Sequence, residues 1–373
     1  MSKKKNIDKV IVTPENLLET YLKDQKEYHF NPKDQEEEKR LDVLNDYKVS
    51  TGSLLLDEAM DGGIGPGIVR FTGCAEGGKT SAALTVMQNF LKTVENSRGI
   101  YVKAEGRLSK EMQSRFDIDF VYVPDEWKNG NVFVFNCNVF ETVTDLLRNL
   151  MKNNESKIRY CLIIDSVDGL NRKEDLQKLS EEATRVAGGA VISSLFLKRM
   201  SNYFSTYGHL AIFISQVRSN VQLNPYEKAD PKLTNATGGN ALLHYPNWII
   251  EYQQRFKNNL IFDKSNNIIG HKAVCVFKKT PNETTNNKYE YPIKYNAPKG
   301  KSVWRELEIA DLLLLRGYVI KRSSWLSPTQ FFIDKCKGKG IEFPDQLQGQ
   351  DKLIEFVSNE NIVDSIFNIL MEH

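Results

Sequence analysis

The chain of 373 residues has no long hydrophobic run. No apolar stretch approaches the roughly 20 residues a membrane-spanning helix needs, which excludes a helical span. It also has little net charge. Fifty Lys and Arg stand against 48 Asp and Glu, leaving +2, so any nucleic-acid surface must come from local clusters and not from the global balance. Cysteine is scarce. Cys74, Cys137, Cys161, Cys275 and Cys336 are scattered without a C-x-x-C pair, which argues against zinc or a disulfide framework and for reduced, packed thiols. Behind Met1-Ser-Lys-Lys-Lys-Asn6 there is no apolar stretch, so no secretory signal is expected and a cytoplasmic location is. There is no internal repeat. What is present, 40% hydrophobic and 26% charged residues, is the composition of a soluble globular protein.

The organisation follows from periodicity. Thr13 and Pro14 suit an N-cap and first helical position, and Leu17, Leu18, Tyr21 and Leu22 then share one face. A charged stretch over 31–40 reads as a linker or solvated helix, so residues 1–46 are expected to pack on the main domain or on another subunit. From 47 to 303, strand-like runs (67–72, 100–104, 132–136, 160–165, 210–215) alternate with helical ones (81–94, 139–152, 178–203), with a further helix at 304–316. That alternation predicts an α/β fold with a mostly parallel central sheet. Runs at 248–252, 273–277 and 289–295 read as hairpins continuing the sheet. Residues 304–373 read as a small mixed C-terminal domain.

Between the run ending at Thr72 and the helical run from Ser81 lies Gly73-Cys74-Ala75-Glu76-Gly77-Gly78-Lys79-Thr80, a G-x-x-x-x-G-K-[ST] phosphate-binding loop. Gly73, Gly77 and Gly78 let successive N–H groups turn toward a phosphate chain. The following helix offers its positive N-terminus to the same anion. Lys79 can reach the β- and γ-phosphates, and the Thr80 hydroxyl can ligate Mg²⁺. The stretch from Gly73 through Ser81 is therefore the candidate ATP-binding segment. Asp165 closes the apolar run 161–164 and can hold the water shell of Mg²⁺. Glu105 follows the run 101–104, where a strand end lines the ligand crevice and a carboxylate can polarise water. Gln216 follows Ser215, where a neutral amide can sense the γ-phosphate.

With these residues placed, the chain resembles the RecA family of recombinases, its bacteriophage members included. Four stretches carry the resemblance: Val49 to Asp57, Ala104-Glu105, Ile164 to Val167, and Ile214-Ser-Gln216-Val-Arg218 followed by Ala236-Thr-Gly238-Gly239-Asn240-Ala-Leu242. The resemblance covers about 47 to 300 and implies a RecA-type P-loop ATPase core with two DNA-binding loops. It implies a DNA-dependent ATPase that uses ATP and Mg²⁺. The expected product is a homo-oligomeric helical filament on single-stranded DNA that exchanges strands with double-stranded DNA. Lys79 and Thr80 would bind phosphate and metal, Asp165 would support the metal, and Glu105 would activate water. Gln216 would couple the γ-phosphate to the second DNA loop, Val217 to Thr237. Arg218, Gly238, Gly239 and Asn240 would lie against the strand, as would Ser194 and Lys198 on the helix after the first loop. Lys278 would reach the neighbouring subunit's ATP. A single-strand-binding protein and a loading mediator are implied partners.

The sequence departs from the family's pattern in places. Thr280 stands where a second interface lysine is common, with Lys279 beside Lys278. Ser109 and Met112 replace residues that contact adenine, His244 replaces an aromatic, and Tyr226 or Leu223 stands in for the usual aromatic wedge. Lys321, Arg322, Lys335, Lys337 and Lys339 beside Trp325, Phe331 and Phe332 suggest either a duplex-DNA gateway or a solvated basic surface over an aromatic core. A ring-forming motor on the same fold and a non-hydrolysing mediator remain as alternatives.

Overall fold

The apolar run after Pro66 becomes the middle of a large sheet, as strand β1 (Gly67–Gly73), buried along its whole length. In this computed structural model the residues described are 45–106, 108–174, 187–216 and 241–372, together with Lys39, Asp42 and Val43. Contacts divide the chain into Met1–Val43 and Leu44–His373, and the sheet with its helices belongs to the second unit. The helix expected over 13–30 lies outside the described residues.

After a short helix α1 (Leu54–Ala59) and β1 come α2 (Lys79–Thr93), β2 (Ser97–Lys103), α3 (Lys110–Gln113), β3 (Asp119–Val121), β4 (Asn131–Phe135), α4 (Phe140–Lys152) and β5 (Arg159–Asp165). Then follow α5 (Ala187–Thr206), β6 (Leu210–Ile214), α6 (Ala241–His244), β7 (Trp248–Tyr252), β8 (Leu260–Phe262), β9 (Ile268–Lys279) and β10 (Lys288–Lys294). The sheet order is β10-β9-β7-β1-β6-β5-β2-β4-β3, with β8 on β9. Strands β7, β1, β6, β5, β2, β4 and β3 run parallel, while β9 turns back antiparallel to β7, and β10 and β8 antiparallel to β9.

Parallel strands buried on both faces read as continuous apolar runs, and alternate residues serve the two faces. Val69 and Phe71 pack with Leu84, Met87 and Phe90 of α2. Ile68 faces the other way, with Phe213 of β6, Leu147 of α4 and Phe204 of α5. Helix α4 forms because Phe140, Val143, Leu147 and Met151 recur at helical spacing on one buried stripe.

The C-terminal residues form α7 (Arg305–Leu315), β11 (Val319–Arg322), β12 (Trp325–Pro328), α8 (Gln330–Gly338), β13 (Leu347–Gln348), α9 (Gly349–Val357) and α10 (Glu360–Met371). They gather around Leu313, Phe332, Cys336, Leu353 and Ile366, and Leu54 of α1 joins them. Buried Glu308 on α7 fixes this junction. It accepts hydrogen bonds from the Ser53 hydroxyl (2.5 Å) and from the N–H groups of Leu54 (3.0 Å) and Leu55 (3.2 Å), so it satisfies orphan donors at the start of α1. Arg316 pairs with Glu58 at the same junction.

The structure differs from the sequence expectations in three places. Strand β7 pairs in parallel with β1 and only then antiparallel with β9, because the apolar pattern of a short run fixes its burial and not its direction. Strands β3 and β8, three residues each, are too short to show periodicity. The helix expected over 178–203 runs on to Thr206 and is described from Ala187, residues 178–186 lying outside the described residues. Among the described residues no helix is long and apolar enough to cross a membrane.

Candidate nucleotide site

The loop leaving β1 is shaped by close packing. Gly73 has φ +132°, and a Cβ there would sit 2.0 Å from the Tyr252 carbonyl oxygen of β7, so only glycine fits. Gly78, at φ +97°, is the N-cap of α2 and has open space where a side chain would stand. No acidic residue of this 15-residue helix occupies its own first turn, so the helix does not itself offset the positive end it offers to an anion. Lys79 is buried, and its Nζ donates to the carbonyls of Gly73 (3.0 Å) and Cys74 (2.6 Å). Cys74, Ala75 and Glu76 are exposed, with Glu76 lining the cavity described below, while Gly77 is buried against Tyr252 and Gln253.

Asp165, the last residue of β5, is buried. Its Oδ2 accepts from the Thr80 hydroxyl at 2.8 Å and from the Tyr101 hydroxyl at 2.6 Å. The parallel register of β2 and β5 sets Lys103 beside Asp165, and this carries Glu105 to Ser166, whose hydroxyl donates to Glu105. Gln216, just past β6, directs its side-chain amide at both Glu105 oxygens at 3.5 and 3.4 Å, a loose contact by hydrogen-bond standards. Its backbone N–H donates to Asp168 at 2.6 Å. Lys79, Thr80, Ser81, Glu105, Asp165 and Gln216 all line one cavity of about 730 Å³, a volume that suits a nucleotide-sized ligand.

The other sequence expectations fall as follows. Met112 lines this cavity, but Ser109 is exposed and its hydroxyl caps α3. Lys278 on β9 lies 3.6 Å from Glu251 and is not part of the cavity wall. Lys279 donates to the carbonyls of Leu243 (3.2 Å) and His244 (2.5 Å) at the end of α6, and partial burial lowers its pKa. Lys198 is exposed on α5, and Ser194 sits on the same helix. Arg218, Leu223, Tyr226, Gly238, Gly239 and Asn240 lie outside the described residues. In the C-terminal cluster Trp325 and Phe331 are exposed, Lys335 stands over the Phe331 ring at 5.2 Å, and Phe332 is core.

No role for Tyr101, Asp168 or Arg70 is read from the sequence, and Ser166 enters there only as part of the Ile164–Val167 stretch. Arg70 alone left a signal, a charged residue inside an otherwise apolar strand run. The other three depend on register between strands.

A phosphate loop joining a central strand to a helix, with acidic groups at the ends of neighbouring parallel strands, defines an α/β protein of the phosphate-loop class. The RecA N-terminal domain pattern matches residues 35–295. The chain belongs to the RecA family, and at the family level recombination, DNA binding and ATP binding go with that membership. It is 28% identical over 319 residues to Protein RecA of Mycoplasma genitalium, covering 84% of this chain and 81% of that one. It is 27% identical over 278 residues to Protein RecA of Mycoplasma pneumoniae, covering 73% and 74%. Over 297 residues it is 25% identical to Protein RecA of Pseudomonas savastanoi pv. phaseolicola, covering 79% and 76%.

Proposed function

We propose that this protein is a DNA-dependent ATPase that forms a helical filament on single-stranded DNA and exchanges strands with a homologous duplex. The observation carrying this reading is the convergence of Lys79, Thr80, Asp165, Glu105 and Gln216 on one cavity, in a chain of the RecA family. Lys79 exchanges its loop carbonyls for phosphate oxygens, and the N-terminus of α2 adds its partial charge to the same anion. Glu105 orients a water toward the γ-phosphorus and accepts its proton. Gln216, already turned toward Glu105, responds to the γ-phosphate and passes that state to the chain beyond it.

The donor set fits Mg²⁺. Thr80 and Asp165 offer a hydroxyl and a carboxylate side by side and would hold Mg²⁺, a hard cation that prefers oxygen ligands. When bound, the ion neutralises charge building on the phosphates. Tyr101 holds Asp165 in place through its hydroxyl.

Lys198, Arg218 and the backbone of Gly238 to Asn240 neutralise or approach DNA phosphates without reading bases. Lys278 turns from Glu251 to a neighbouring subunit's nucleotide, so ATP favours the filament and the filament favours DNA. Residues 304–373, with Lys335 over Phe331 and Trp325 also exposed, receive duplex DNA. A single-strand-binding protein and a loading mediator assist in the cytoplasm.

The test is steady-state ATP hydrolysis with and without single-stranded DNA, followed by strand exchange. Strong stimulation and exchanged product are expected. Hydrolysis indifferent to DNA would sink the recombinase reading in favour of another oligomeric ATPase.

A further inference from the structure

Arg70 is an unusual residue for its place. It sits in the middle of β1, the central strand, paired with Phe213 of β6 and Ile249 of β7, and it is wholly buried. An arginine taken from water is costly unless its donors are matched, and here each match has a meaning along the chain. Its Nε donates to the Ser215 hydroxyl at 2.9 Å, one residue before Gln216. Its Nη1 donates to the Leu242 carbonyl at 3.1 Å, at the start of α6. One guanidinium thus ties together Ser215 and Leu242, which stand in the sequence on either side of residues 217–240.

Two other groups act on the same points. Asp168 receives the Gln216 N–H at 2.6 Å, its other carboxylate oxygen is buried without a hydrogen bond, and its charge favours the cationic form of Arg70. Lys279 takes the next two carbonyls, those of Leu243 and His244. Burial lowers the Arg70 pKa to about 10, which leaves it charged at neutral pH.

We propose that Arg70 and Asp168 are positioning residues that hold Gln216 and Leu242 in fixed relation, so that a change at the γ-phosphate sensor is delivered to the DNA-binding stretch between them. This rests on the proposed role of Gln216. Neither residue lines the nucleotide cavity, so their loss should change coupling and leave nucleotide chemistry in place.

The experiment uses the full chain and a fluorescent oligothymidylate. Its affinity is measured with ATPγS and with ADP, alongside ATP turnover without DNA. In the unaltered protein the ratio of the two affinities measures the coupling. Asp168→Ala and Arg70→Met should each reduce that ratio about tenfold, with DNA-free turnover held, and Asp168→Asn, which keeps an acceptor, should restore most of it. Asp168 is half-buried, so its variants decide the matter if Arg70→Met does not fold. A ratio unchanged in Asp168→Ala overturns the proposal, as does a fall in DNA-free turnover parallel to the fall in the ratio. If the unaltered protein itself shows no nucleotide-dependent DNA affinity, the role of Gln216 falls first, and the failure is distinguishable because no variant is needed to see it.

Discussion

Two polar clusters in this chain are built from similar groups and are set up for different ends. Around the phosphate loop, Lys79 is held by the Gly73 and Cys74 carbonyls, Thr80 donates to Asp165 and Gln216 turns to Glu105, all of them facing one cavity. Around α1, Ser53, Asp57 and Glu308 are sealed in the core. Asp57 accepts from the Ser50 hydroxyl (2.5 Å) and from the Thr51 N–H and hydroxyl (both 2.7 Å), and Glu308 caps α1 from α7. Groups that border open space can exchange partners with a ligand. Groups enclosed by protein cannot, and a lost partner leaves a bare donor or charge. The first cluster should answer to nucleotide and the second to folding stability.

The sharpest way to break this contrast is Lys79→Ala. Hydrolysis should fall by at least about a hundredfold, the scale of removing one electrostatic stabiliser of a transition state, while circular dichroism and the urea midpoint stay close to the parent's. Normal turnover in this variant would end the phosphate-loop assignment. Glu308→Ala is its mirror image. Three donors lose their acceptor in a buried place, so stability should drop by about 3 kcal/mol, read from urea unfolding, with turnover per folded molecule preserved.

A pH series sharpens the second half. Burial pushes the Asp57 carboxyl up from 3.8 to about 6. Its contribution to stability is therefore fully present below pH 3.8 and is lost as pH rises through about 6. The unfolding free energy of Asp57→Asn minus that of the parent should shift toward the variant by up to about 3 kcal/mol across this window. His209, buried and lowered from 6.5 to about 4, works in the opposite sense, losing stability as pH falls below 6.5. It is common to both proteins and cancels in the difference. A flat difference would remove Asp57 from the sealed cluster.

The smallest effect concerns the cavity wall. Met112 lines it while Ser109 does not, so Met112→Tyr should tighten discrimination between ATP and GTP by a few-fold, on the scale of about 1 kcal/mol for one aromatic contact, in competition hydrolysis assays. Ser109→Asp should leave discrimination unaltered.

What could be read from the sequence was local. The phosphate loop is one continuous segment, and its flanking strand and helix announce themselves by apolar runs, so Lys79 and Thr80 were legible together. Asp165, Glu105 and Gln216 were legible as strand ends because a parallel α/β sheet gathers strand ends on one edge. Tyr101 reaches Asp165, and Asp168 reaches Gln216, only through the pairing of strands distant in sequence, and no spacing rule encodes that. The direction of β7 was hidden for the same reason. Phe332 and Phe331 are neighbours of identical chemistry, and only packing makes the first core and the second surface.

The contact between Gly73 and Tyr252 bears on how the protein is made. The phosphate loop is seated against β7, and β1 is held between β6 and β7, both encoded far downstream. A nascent chain emerges from its N-terminus, and a strand cannot be fixed before its neighbours exist. A ribosome stalled ahead of Trp248 would present the whole loop sequence without the wall that shapes it. The nascent chain should therefore acquire nucleotide affinity only after Tyr252 and the cavity wall up to Val303 have cleared the exit tunnel, and not when Lys79 and Thr80 first appear.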